Sequence, residues 1–303
     1  MNISAAKKIA DAVLYEGYML YPYRTSTIKN RQRWSFGILY PPAYEEVRAG
    51  TERAAMHSEC LIEIHNQVAL HVDVQLRFLQ LVRVQSEQGN RDDVRERTVE
   101  LQWPESTLRE FLFAAERQRE STQEEICGKI RLVSEKDGEH LIKLCIDVLN
   151  TTSAPADIKR DDALMHSLLS AHCILSVSGG EFVSLLDPPE QFKSAAAACR
   201  NIGNFPVLVG EEPARDMLLC SPILLYDYPK IAPESAGDFF DGTEMDEMLT
   251  LRIMTLTDEE KNEVLGGGER VRELLQRTEM SAREQLARTH GAIRPMSPAR
   301  EDR

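Results

Sequence analysis

Hydrophobic positions along this chain change period several times, and each change marks an element. Residues 4–14 carry Ile9, Ala12 and Val13 at helical spacing, with Lys7, Lys8 and Asp11 opposite, which predicts an amphipathic helix. Phe36–Tyr40 is a short apolar run closed by Pro41 and Pro42, a strand followed by a polar connection over 43–55. From Ser58 the period drops to two. Cys60, Ile62 and Ile64 fall on one strand face, and Val72, Val74, Leu76 and Phe78 on another, leading into the denser Leu79–Val84. Gln88–Asp93 reads as a turn, Thr98–Trp103 as a further strand, and Leu108–Arg119 as helical or irregular. The plainest hairpin is Glu125–Thr152: Ile126, Gly128, Ile130 and Leu132 alternate, Glu135 to Gly138 turn the chain, and Leu141–Leu149 returns.

A polar stretch over 154–162, with Pro155 and a charge run, reads as a domain boundary. Beyond it, Leu168–Val177 and Glu181–Leu186 flank Gly179 and Gly180 as a second hairpin candidate. Pro188 and Pro189 open a helix over Glu190–Arg200. Asn204–Val209 and Met217–Tyr226 have the continuous apolar character of buried strands. From Thr243 onward the spacing is helical, interrupted at Gly266–Gly268 and resumed over Glu269–His290. The expected class is therefore α+β: an antiparallel, sandwich-like N-terminal half over 1–153, and a mixed α/β second half over 163–294 ending in helices. A disordered tail is expected over 295–303.

Composition narrows the function. A formal charge of −13 leaves no general basic face for phosphate neutralisation, so nucleic acid is not the expected partner. No apolar run reaches membrane-spanning length, and the N-terminus lacks the apolar core of a secretory signal, so the expected address is cytoplasmic. The six cysteines stand singly, without the spacing of a metal site or disulfide framework, as small buried hydrophobes would. His166 and His172 have no standard ligand spacing and read as core or hydrogen-bonded side chains. No phosphate-cradling glycine loop, serine elbow or zinc-protease motif occurs, and no cofactor is expected.

Two stretches stand out as surfaces. Tyr18, Tyr21, Tyr23, Arg24, Lys29, Arg33 and Trp34 form a basic-aromatic segment, a composition shared by protein-binding anchors and by a stacked core edge. Ile223–Arg252 passes from an apolar run through Pro229 and Pro233 into an acidic loop with Glu234, Asp238, Asp241, Glu244 and Asp246. Carboxylates near a helix start capped by Thr243 are accounted for by the helix dipole, worth about 0.3–1 kcal/mol each. A docking face is a second reading; a hard divalent cation such as magnesium or calcium at Asp238, Asp241 and Glu244 is a third, without the spacing of an EF-hand. If the two stretches meet, Arg24 or Arg33 pairs with Asp238 or Asp241.

Several long segments resemble one family: Leu14–Gly37, Gly179–Phe192, Ser221–Lys261 and His290–Arg294. They look like proteins encoded beside high-affinity, actinobacterial-type [NiFe] hydrogenases. The resemblance implies genomic company rather than catalytic residues. Some relatives extend beyond the position matching Arg294, so a C-terminal module is expected to be missing here. Hydrogenase gene clusters need accessory proteins, and an acidic chain with one basic-aromatic face suits that company, so the expectation is a non-enzymatic accessory or assembly factor that binds a hydrogenase subunit or maturation protein. The alternatives are a structural subunit of the hydrogenase complex, and a cation-dependent, hydrolase-like enzyme using the Asp238–Asp246 carboxylates.

Overall fold

The computed structural model describes residues 6–11, 36–48, 51–65, 69–86 and 89–230, all within one compact unit. Among these the strands are β1 (Ala55–Ile64), β2 (His71–Ser86), β3 (Gly89–Trp103), β4 (Leu108–Phe113), β5 (Glu116–Arg117) and β6 (Ser121–Gln123). They continue as β7 (Ile126–Lys136), β8 (Leu141–Asn150), β9 (Leu169–Ser178), β10 (Gly180–Val183), β11 (Phe205–Leu208) and β12 (Met217–Ser221). The helices are short: α1 (Pro42–Val47), α2 (Arg160–Leu164) and α3 (Lys193–Ala198), the last preceded by a 3-10 turn, Glu190–Phe192. No described helix is long and apolar enough to cross a membrane.

Every strand pairing among the described residues is antiparallel. Sheet one runs β10-β1-β8-β7-β4. Sheet two runs β11-β12-β9-β2, with β3 along the whole of the opposite edge of β2. Where β9 ends against Leu79, β6 takes over the same edge of β2 at Arg83 and Val84, and β5 follows it. Alternate residues point inward from both sheets and meet in one core. Cys60, Ile62, Ile130, Leu132, Leu144, Ile146 and Phe182 come from sheet one; Val72, Val74, Leu76, Phe78, Cys173, Leu175 and Leu218 come from sheet two. This is the sandwich solution to burying two apolar sheet faces.

The outer faces are covered in part. Residues 6–11 are helical, as their spacing predicts, and Ala6 and Ala10 pack on Ile174, Val207, Val209, Met217 and Leu219 of sheet two. Asp11 reaches the buried guanidinium of Arg77 at 2.5 Å, and Glu96 accepts from the same group. Tyr40 and Tyr44 stack at 5.0 Å where α1, opened by Pro42, closes one corner.

Several expectations need correction. The polar stretch at 154–162 does not divide the fold. It leads from β8 in sheet one to β9 in sheet two, and strands from both sides of it share both sheets. The described second half is accordingly antiparallel sheet with short helices rather than mixed α/β. Residues 168–186 are no hairpin: β9 pairs with β2, whereas β10 pairs with β1 in the other sheet. The chain changes sheets at Gly179, which adopts φ +79°, and Gly180 then lies so close to β1 that a Cβ would sit 2.6 Å from the Glu63 carbonyl oxygen. Leu108–Arg119 contains β4 and β5, because pairing of β4 with β7 and of β5 with β6 overrides the helix propensity of Leu, Arg and Glu. The 43–55 connection holds most of α1, and β3 begins at Gly89, inside the expected turn. Helices expected from Thr243 onward and the 295–303 tail lie outside the described residues.

Candidate functional site

The residues singled out in sequence fall outside the described residues: Tyr18, Tyr21, Tyr23, Arg24, Lys29, Arg33 and Trp34, and likewise Glu234, Asp238, Asp241, Glu244 and Asp246. The cation option at Asp238, Asp241 and Glu244 and the pairing of Arg24 or Arg33 with these acids share that position. Of the central stretch, residues 223–230 are described, and they act as an anchor. Ile223 and Leu225 join the cluster under residues 6–11. Asp227 accepts from Ser184 Oγ at 2.5 Å and from the Leu208 N–H at 2.8 Å.

The described chemistry lies on the outer face of sheet one, which has two unlike ends. At the β10–β1 end, Leu61, Leu141 and Val183 are buried beneath Phe192, Ala195 and Ala196 of the helical segment. At the β7–β4 end no described element covers the sheet. There Phe111 and Phe113 turn inward, each 5.8 Å from Phe78 between ring centroids. Gly128 makes room for this, since a Cβ on it would lie 2.3 Å from Phe111 Cζ. Arg97 caps Phe113 at 4.5 Å, its pKa lowered by burial and by Arg95.

Strand alternation then forces Leu108, Glu110 and Leu112 outward. They stand opposite Arg131, Lys129 and Cys127 of β7. Leu108 is 51% exposed, Leu112 60% and nearby Val133 41%. Apolar side chains of this size, set among charges on an open edge strand, form the candidate interaction face.

A polar clasp separates the covered end from the open one. Asp147 takes a fork from Arg131, Nη2 at 2.7 Å and Nε at 3.1 Å. Its other oxygen lies 2.6 Å from His57 Nδ1, and His57 Nε2 lies 3.3 Å from Glu59 Oε1. Burial opposes charge on His57, yet hydrogen bonds to Asp147 and Glu59 outweigh it and raise its pKa. Burial likewise opposes ionisation of both carboxylates. The Arg200 N–H and His57 outweigh it at Glu59, and His57 and Arg131 do so at Asp147, so both pKa values fall. When protonated, His57 is an imidazolium held between two carboxylates.

Glu59 carries the clasp further. Its second oxygen accepts the Arg200 N–H at 2.8 Å, and its own N–H donates to Asn201 Oδ1 at 3.0 Å. His57 and Ile202 exchange backbone hydrogen bonds beside them. The group therefore fastens the α3–β11 connection to β1. Cys145 donates its S–H to Glu59 at 3.7 Å, and burial pushes the thiol up to about 11, so no thiolate nucleophile forms there.

The cysteines and His172 behave largely as their scattered placement predicts, although Cys127 and Cys199 are only half-buried, and His166 is half-buried with its Nδ1 unpartnered. All six cysteines are free, and Cys60, Cys173 and Cys220 lie in the core. His172 is fully buried and donates from Nδ1 to the Ser170 carbonyl, while burial lowers its pKa to about 4. Among the described residues, no three His, Cys, Asp or Glu side chains are placed to hold a metal ion. A cavity of about 630 Å³ on sheet two has Asp73, Gln75, Glu100 and Gln102 in its lining. These four pair among themselves across β2 and β3, at 3.0 and 3.1 Å.

Sequence reasoning missed the β4–β7 face, because Leu108–Phe113 sets two charges before three apolar residues and carries no alternation that would mark a strand. Compared with protein-family models and with curated proteins, the chain matches none.

Proposed function

We propose that this protein is a cytoplasmic, non-enzymatic accessory or assembly factor of a [NiFe] hydrogenase, acting by binding a protein partner. The observation that supports binding is the outer face of β4 and β7, where Leu108, Leu112 and Val133 stand exposed between Lys129, Arg131 and Glu110. Apolar anchors inside a charged rim are the composition of protein interfaces. The resemblance along Leu14–Gly37 and Ser221–Lys261 supplies the partner class, a hydrogenase subunit or maturation protein. The basic-aromatic segment and the acidic loop are proposed as further contact surfaces.

Affinity capture from the native host tests the reading. Tagged full-length protein should retain a hydrogenase subunit or maturation protein, and Leu112→Lys should reduce the yield. Capture of neither class by the unaltered protein would overturn the proposal.

A further inference from the structure

The edge of β4 has a geometry that selects its occupant. Leu132 donates its N–H to the Thr107 carbonyl, and Thr151 donates to the Cys127 carbonyl on the far side of β7. In an antiparallel ladder the backbone groups of alternate residues face alternate sides. The residues of β4 that bond to β7 are therefore Arg109, Phe111 and Phe113. Leu108, Glu110 and Leu112 turn their N–H and C=O groups to the open edge. Among the described residues β4 pairs with β7 alone. Ser106 Oγ occupies the Leu108 carbonyl at 3.2 Å. Among the described residues the Leu108 N–H and both groups of Glu110 and Leu112 meet no backbone partner, a row only an extended backbone can match.

Side chains then decide which backbone. A second copy of this chain fits poorly. When two β4 strands pair about a two-fold axis, edge-facing residues must meet edge-facing residues. The register that joins Leu108 to Leu112 also sets Glu110 against Glu110, and like charges directly opposite are destabilising. The neighbouring registers place Glu110 against a leucine. An occupant with apolar, basic and apolar residues at alternate positions satisfies all three at once.

We infer that β4 accepts an extended segment of a partner protein as a sixth strand of sheet one, with a Lys or Arg opposite Glu110 and apolar side chains opposite Leu108 and Leu112. This rests on the protein-binding role proposed above and specifies the chemistry of the partner.

The probe is a dye-labelled peptide, Thr-Val-Thr-Lys-Thr-Val-Thr, capped at both ends and titrated into the full chain by anisotropy. Saturable binding is expected, with slowed amide exchange at Leu108, Glu110 and Leu112. Glu110→Lys should weaken this peptide about tenfold and favour the same peptide with Glu at its centre, since an attractive cross-strand charge pair becomes a repulsive one. Glu110→Pro removes an edge-facing N–H and should abolish binding of either peptide.

Absence of saturable binding, protection on another strand, or indifference to Glu110→Lys overturns strand addition. Capture of a hydrogenase subunit that survives both Glu110 variants also overturns it, while leaving the accessory role standing. Peptide binding without such capture has the opposite meaning: the strand site stands and the hydrogenase role falls.

Discussion

The two ends of the outer face of sheet one place similar residues in opposite environments. Leu61 and Val183 lie beneath the segment holding α3, and Leu108 and Leu112 lie beneath nothing described. The strands are equally regular at both ends, so the difference is not one of local conformation. Cover is what separates a core leucine from a contact leucine, and cover is supplied by a connection between strands rather than by the strand that bears the residue.

The comparison can be broken most directly at its covered end. Leu61→Ala should cost about 2–4 kcal/mol in urea unfolding, the usual range for a buried leucine leaving a cavity. If it costs no more than a surface change, α3 does not seal that end. Next comes the support beneath the open end. Gly128→Val should cost about 1–3 kcal/mol, because its side chain overlaps the Phe111 ring. Adding Phe111→Ala should leave a combined loss smaller than the sum of the two single losses.

The clasp between the ends is sensitive to pH. The raised pKa of His57 gives stability that is fully present below about pH 6.5, the unfolded value, and is lost as pH rises through the folded one. The lowered values of Glu59 and Asp147 give stability present above about pH 4, and lost as pH falls through their folded values. Stability from this group should therefore be greatest between those limits. His57→Gln should remove the alkaline loss, an effect of no more than about 1 kcal/mol, checked by thermal unfolding from pH 5 to 9. The smallest effect belongs to the open end itself. Leu112→Ala should change stability by less than about 0.5 kcal/mol. A larger loss would mean that Leu112 is packed after all.

Much of this sandwich was legible in the chain. The alternation in β2, the β7–β8 hairpin with its Gly138 turn and the buried runs of β11 and β12 each carry their own period. The errors fall where partnership is decided far away in sequence. Nothing local distinguishes β9 and β10 as a hairpin from two strands in different sheets; only the close approach of Gly180 to Glu63 does so. LREFLF is as helical as it is extended until Gly128 offers Phe111 a seat. The candidate face was missed for the same reason, since its exposure depends on where α3 lands. The residues first chosen as contact sites, from Tyr18 to Trp34 and from Glu234 to Asp246, lie outside the described residues.

The change of sheet at Gly179 has a consequence for synthesis on the ribosome. Sheet two needs β9 on β2 and then β12 on β9, and sheet one needs β10 on β1, so sheet one waits for Val183 to emerge and sheet two for Ser221. Before β9 and β10 are made, β1 and β2 each expose an unmatched edge and an apolar side. Such distant pairings make for slow acquisition of the native state and a long window of vulnerability to aggregation. A nascent chain of this protein is a natural client for a chaperone.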